Sequence, residues 1–176
     1  NDLSIISHVS KRAVEANIGE VIVATEDKEI VNDVTQNGFR AILTSNSHKT
    51  GTDRIYEAFK KLDIKNIDFI MNLQGDEPII NVEDIINLNQ KMINHQSKLG
   101  TLAAKIKNNE DLGNENIVKV ITEKNLDHDH FSKAKLFLRK THNLENTYHH
   151  IGIYCYSKET LEKFVKLDQS KMKLKI

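Results

Sequence analysis

Tryptophan is missing from this chain, cysteine and proline occur once each, and only seven glycines are spread over 176 residues. A single thiol, Cys155, excludes an internal disulfide and any cysteine-clustered zinc site. It sits in the apolar run IGIYCYS, where a small buried hydrophobe is the expected role rather than a nucleophile. Pro78 is the only proline, and no linker rich in Gly, Pro or Ser divides the chain. Dense regular structure in one domain over residues 1–176 is therefore expected. An excess of charge is missing too, because 25 basic and 25 acidic residues cancel. That removes the broad basic field that follows a nucleic-acid backbone and the polybasic segment that seeks an anionic membrane. No apolar run approaches bilayer-spanning length, and the chain does not open on a charged and then apolar signal. A soluble, cytoplasmic protein with small-molecule chemistry is the expectation.

What is present is an alternation of helix and strand patterns. Ile5, Ile6, Val9, Ala13 and Ala16 lie close to one helical stripe, with Gly19 as a natural stop. EVIVAT reads as a buried parallel strand. Thr25 or Asp27 can cap the next helix, which buries Ile30, Val31 and Val34 and closes at Gly38. FRAILTS is a second strand. A helix from about Thr52 to Leu62 and the strand DFIMNLQ follow. Strands joined by helices run parallel with right-handed crossovers, so the fold class predicted is α/β, a doubly wound and mostly parallel Rossmann-like sheet. After a helix over roughly 82–95, the short extended runs GTLAAKI, NIVKVIT and HHIGIYCYS predict a mixed-sheet second half with an inserted flap, ending in a helix at KETLEKFVKL.

Ligands of doubly wound sheets bind beyond the carboxyl ends of the strands. Two loops leave strands at that edge, LTSNSHKTGTDR and LQGDEP, and are candidates for one shared site. In the second, Asp76 at a strand end suits a hard cation such as magnesium, which takes one or two carboxylates and fills its shell with water and phosphate. Glu77 points elsewhere and can cap the helix after it. The alternative for the pair is an exposed acidic turn. In the first loop, Gly51 lets backbone amides approach a ligand, Thr50 and Thr52 add hydroxyls, and Arg54 adds a planar fork suited to a base edge or a phosphate. The loop is not a Walker A motif. Its bland reading is a helix start capped by Thr52 or Ser47. His128 and His130 in LDHDHF share a face if extended, but no third zinc ligand is evident. Of His149 and His150, one must face the core side of a strand, as a ligand contact or a satisfied buried imidazole. No nucleophile elbow and no activated cysteine is found, so charge stabilisation by a metal with positioning of two substrates is the consistent chemistry.

The segments VIVATEDKEI, HKTGTDR, NLQGDEP, NIVKV, HIGIYCY and LDQS follow one another in the order and approximate spacing of the 3-deoxy-manno-octulosonate (KDO) cytidylyltransferases, or CMP-KDO synthetases. The chain resembles that nucleotidyltransferase family over nearly its whole length. QGDEP together with GTDR is fairly specific for it, since CMP-sialic acid synthetases share the fold but usually carry other residues there. The resemblance implies a magnesium-dependent attack of the anomeric hydroxyl of KDO on the α-phosphate of CTP, giving CMP-KDO and pyrophosphate for lipopolysaccharide biosynthesis. It implies that Asp76 holds magnesium as the catalytic carboxylate, and that Gln74 and the stretch Thr50, Gly51, Thr52 and Arg54 contact the cytidine. His150 and Tyr154 would face the sugar acid, with Ser132 and Lys133 near the same pocket and a homodimer as the assembly. Lys133 stands where the family has an arginine, and the change loses bidentate geometry. KAKLFLRK, after Ser132, has neither proline of the family's sugar loop. Family members also carry an arginine- and lysine-bearing phosphate loop before the first matched segment and a metal-binding aspartate after the last, so the chain is expected to be incomplete at both ends. The competing readings are a CMP-sialic acid synthetase and a non-catalytic nucleotide-binding module.

Overall fold

The computed structural model describes residues 3–126 and 131–167. They cluster in two compact units, one of residues up to Gly100 with Ile153–Leu167, the other built from Thr101–Gly152.

The first unit carries the helix and strand alternation. Helix α1 (Ile5–Glu15) starts where the Ser4 hydroxyl accepts from the Ser7 amide. Its stripe buries Val9, Ala13 and Ala16, while Ile5 remains exposed. The helix ends at Asn17, which takes a left-handed φ of 49°, and not at Gly19 as expected. Asparagine tolerates that conformation because its short amide bonds locally. Strand β1 (Ile22–Thr25) pairs in parallel with β2 (Arg40–Leu43), Ile22 opposite Arg40 and Thr25 opposite Leu43. Between them runs α2 (Lys28–Gln36), capped by Asp27, whose carboxylate accepts from the Glu29 amide at 2.7 Å. Gly38 at φ 82° closes it, with Phe39 N–H returning to the Val34 carbonyl at 3.0 Å. Val34 is fully buried, a gain of roughly 1.5–3 kcal/mol from burial alone. Ser4 and Ser7 both donate to Asp33 Oδ2, at 2.5 and 3.1 Å, and tie α1 to α2.

Helix α3 (Gly51–Leu62) and strand β3 (Phe69–Asn72) come next, then α4 (Val82–Asn94). β3 pairs antiparallel with the second half of a long strand, β7 (Thr147–Ser157), from Phe69 opposite Ser157 to Asn72 opposite Tyr154. Helix α5 (Lys158–Phe164) leaves β7 under a Ser157 cap and packs on α3 and β3. Ile85, Met92, Ile153, Tyr156 and Leu161 form the interior, together with Cys155, which has no exposed surface. Burial pushes the Cys155 thiol up to about 12, which suits the inert role expected of it.

The second unit is a small antiparallel arrangement. β5 (Lys119–Thr122) lies between β6 (Ala134–Leu138) and the first half of β7, with Val120 opposite both Phe137 and Tyr148. Strand β4 (Leu99–Lys105), which pairs with β7, and a 3-10 turn over Asn109–Leu112 complete the elements. The α/β class and the mixed second half are as expected, with parallel pairing in β1 and β2. The KAKLFLRK segment, expected as a loop, is strand β6. Without proline every backbone N–H in it can donate to a neighbouring strand, which removes the obstacle to pairing.

Lys119 supplies the second unit with a buried cation. Its Nζ donates to the carbonyls of Asn114 at 2.6 Å, Ile117 at 2.8 Å and Arg139 at 2.7 Å. Burial pulls its pKa below the usual lysine value, and the three carbonyls are its means of remaining inside. Tyr148 is similarly used, its hydroxyl donating to Asn125 Oδ1 at 2.6 Å and accepting from the Leu126 amide at 2.7 Å.

Candidate functional site

Both candidate loops of the first unit reach one cavity of about 790 Å³. Ile6, Val9 and Ala13 of α1, Ile55, Ala58 and Phe59 of α3, and the lengths of β1 and β3 make its walls apolar. Gly51 and Arg54 enter it from the β2–α3 connection, and Gln74 and Gly75 from the loop after β3. Residues of both loops thus line one cavity, while Thr50, Thr52 and Asp76 are not part of its lining.

The β2–α3 connection is heavily bonded. Thr50, rather than Thr52 or Ser47, is the N-cap of α3: its hydroxyl accepts from the Asp53 amide at 3.2 Å and donates to Asp53 Oδ2 at 2.6 Å. Gly51 and Thr52 form the first turn, where orphan N–H groups and the helix dipole favour an anion. A Cβ on Gly51 would lie 3.8 Å from Asn72 Nδ2, an ordinary contact with a side chain at the end of β3. The Thr52 hydroxyl stands 3.5 Å from that of Tyr156. Arg54 is fixed rather than extended into solvent. Its Nη1 donates to Thr44 Oγ1 at 2.7 Å and to the Ser45 carbonyl at 3.2 Å, and its Nη2 pairs with Glu26. Glu26 escaped the motif reading, for only the folded chain brings position 26 to position 54.

After β3, Gln74 accepts at its carbonyl from the Glu77 amide at 3.4 Å and begins a turn. Gly75 is packed so closely that a Cβ would meet Ile6 Cδ1 at 3.0 Å. Asp76 is exposed on this turn, and among the described residues its carboxylate takes part in no hydrogen bond or ion pair. Glu77 does not cap the following helix. Asn81 does, its Oδ1 accepting from the Glu83 amide at 3.0 Å, because a cap must stand next to the helix it closes.

The remaining candidates divide between the units. Tyr154 belongs to the first, its ring stacked on Tyr156 with centroids 6.1 Å apart, and burial raises its pKa. In the second, His150 is half-buried. Its Nε2 lies 2.9 Å from Thr101 Oγ1, and Thr101 donates to the Ile151 carbonyl at 3.1 Å, so Nε2 is assigned as the protonated nitrogen. The Phe137 ring meets the imidazole edge-on at 5.0 Å. Burial, then the neighbouring His149, lowers the His150 pKa and favours the neutral ring. Of the two roles expected for one of the histidine pair, a ligand contact or a satisfied imidazole, these bonds belong to the second and leave the first open. Thr101, which fixes it, carries no motif and was not foreseen. Ser132 Oγ accepts from the Lys124 amide at 3.0 Å, while Lys133 is exposed with its Nζ 3.7 Å from Glu123. Asp127, His128, Asp129 and His130 lie outside the described residues, as do the last three residues of LDQS. Among the described residues no three His, Cys, Asp or Glu side chains gather as a metal site.

The family model described as Cytidylyltransferase matches residues 1–175. The chain belongs to the cytidylyltransferase family. Among curated cytidylyltransferases, the 3-deoxy-manno-octulosonate cytidylyltransferase of Thermodesulfovibrio yellowstonii is 40% identical over 96% of this chain and 71% of its own length. The enzyme of the same name from Bartonella henselae is 41% identical over 94% of this chain and 68% of its own length. A solved structure of CMP:2-keto-3-deoxy-manno-octonic acid synthetase complexed with CTP matches with a TM-score of 0.84 and 32% identity, covering 97% of this chain and 70% of that one.

Proposed function

We propose that this cytidylyltransferase moves a cytidylyl group from CTP to KDO, giving CMP-KDO and pyrophosphate, the activated sugar acid then serving lipopolysaccharide assembly. The observation that carries the reading is that Gly51 and Arg54 of GTDR and Gln74 and Gly75 of QGDEP line one cavity, in a chain 40% identical to an enzyme named for that transfer.

In this reading the first turn of α3, with Thr50, Gly51, Thr52 and Arg54, and Gln74 across from it hold the cytidine side of CTP. Backbone amides there bind and orient an anionic ligand without moving, which lowers the entropy of reaching an in-line geometry. His150, Tyr154, Ser132 and Lys133 serve the sugar acid. A neutral His150 with its proton on Nε2 leaves the attacking hydroxyl facing no extra positive charge from that ring. Asp76 fits a magnesium role as one of the one or two carboxylates such an ion takes, since it is exposed and uncommitted to any described neighbour. Magnesium bound there would supply charge neutralisation at the phosphates. The working assembly is a homodimer, and the compartment is the cytoplasm; among the described residues no helix is long and apolar enough to cross a membrane.

The test is pyrophosphate release with CTP, KDO and magnesium. Release that depends on KDO supports the reading, and its absence overturns it. Exchanging KDO for a sialic acid in the same assay separates the related CMP-sialic acid synthesis.

A further inference from the structure

The connection from β2 to α3, residues 44–50, is gripped by one face of α3. Arg54, Glu57 and Lys61 recur at spacings of three and four and so share that face. Arg54 holds the start of the connection through Thr44 and the Ser45 carbonyl. Lys61 donates to the Leu43 carbonyl at 3.0 Å. Between them stands Glu57, whose two carboxylate oxygens accept from the Ser45 amide at 3.2 and 3.0 Å. The same carboxylate pairs with His48 Nε2 and lies 2.5 Å from Lys61 Nζ. Ser45 and Ser47 finish the loop from inside, their hydroxyls 2.7 Å apart and the Ser47 amide donating back to Ser45 Oγ at 3.1 Å.

We propose that Glu57, paired with His48, is the positioning residue that fixes the 44–50 connection and so presents Thr50, Gly51 and Thr52 to the nucleotide. The inference rests on the cytidylyl-transfer reading and deepens its CTP side. One carboxylate reaches a backbone amide at the start of the loop and a side chain three residues before Gly51, so it fixes the loop at two points. Hydrogen bonds from Lys61, His48 and the Ser45 amide hold its pKa down to about 2, so the Glu57 carboxylate is ionised near neutral pH. A loop ordered before the ligand arrives does not charge its ordering entropy to binding. Glu57 acts through the loop and not on the reacting atoms, so its loss is read in CTP affinity and not in the chemical step.

The experiment compares the full chain with Glu57→Gln and His48→Gln, measuring KM for CTP and for KDO, kcat, and CTP affinity by calorimetry, with circular dichroism as the fold control. Either substitution is expected to raise the KM and Kd for CTP about tenfold, as expected when a charge-assisted pair is lost. The KM for KDO and kcat should stay within about twofold. A Glu57→Asp variant, which keeps the charge, should recover part of the CTP affinity. Unchanged CTP constants in folded variants would overturn the inference, as would an equal rise in both KM values, the mark of a general structural role. If Glu57→Gln does not fold, His48→Gln, altered on the loop alone, decides. A parent chain without KDO-dependent turnover rejects the reaction, while CTP calorimetry still judges the clamp.

Discussion

Replacing Lys119 by methionine removes a buried ammonium and keeps most of the volume of its stem. The three carbonyls it serves are then unequally placed. Asn114 O keeps a second donor, the Ile117 amide at 3.2 Å, whereas Lys119 is the donor that serves Ile117 O and Arg139 O. A buried polar group left unpaired costs roughly 1–3 kcal/mol, so two of them set a gross loss of roughly 2–6 kcal/mol. Part is returned, because methionine does not carry the desolvation cost that lowers the Lys119 pKa. The net expectation is a destabilisation of roughly 2–4 kcal/mol, a large share of the margin of an ordinary domain. Urea denaturation followed by circular dichroism, fitted with a common slope, measures it. A change below about 0.5 kcal/mol would show that the carbonyls find other donors and refute the reasoning.

Other outcomes follow from single contacts. Asp76→Asn should leave the melting temperature within about 2 °C, since no described residue bonds the carboxylate, yet lower magnesium-dependent turnover by about a hundredfold or more; near-normal turnover would reduce Asp76 to a turn residue. Asn81→Ala removes the α4 cap and should cost about 1 kcal/mol, or about 2–4 °C in a calorimetric melt. Glu57 gives a pH signature. Its folded pKa of about 2 lies below the ordinary glutamate value of 4.5, so the unfolded chain binds more protons between those values. Its contribution is complete above about 4.5 and is lost as pH falls toward 2, and melts of the parent should steepen there relative to Glu57→Gln.

The apolar runs made the strands legible. EVIVAT, FRAILTS and DFIMNLQ shortened at their ends but kept their type, because a short apolar run declares a strand by composition, even in β2, where no residue is fully buried. Helix ends were less legible. Asn17, Thr50 and Asn81 do work that the sequence offered equally to Gly19, Thr52 and Glu77, and the choice depends on backbone angles that residue type does not specify. β6 was hidden because Lys135, Leu136 and Phe137 carry no clean alternation; it is fixed by β5 alongside it. At the site the loops were legible and their supports were not. Glu26, Glu57 and Thr101 are ordinary surface types in the sequence, and only long-range pairing gives them partners at Arg54, Ser45 and His150. Lys119 was invisible for the same reason, its carbonyls coming from two separate segments.

The lone thiol also makes the molecule its own reporter. Cys155 is wholly covered in the interior of the first unit, beside the β3 edge at Met71, and its raised pKa leaves almost no thiolate near neutral pH. A thiol reagent therefore has one target and cannot reach it until β7 opens. With no second cysteine to blur the signal, the labelling rate becomes a stopwatch on that opening, and a ligand that seals the neighbouring cavity, which Cys155 helps to line, would slow it in proportion to its affinity.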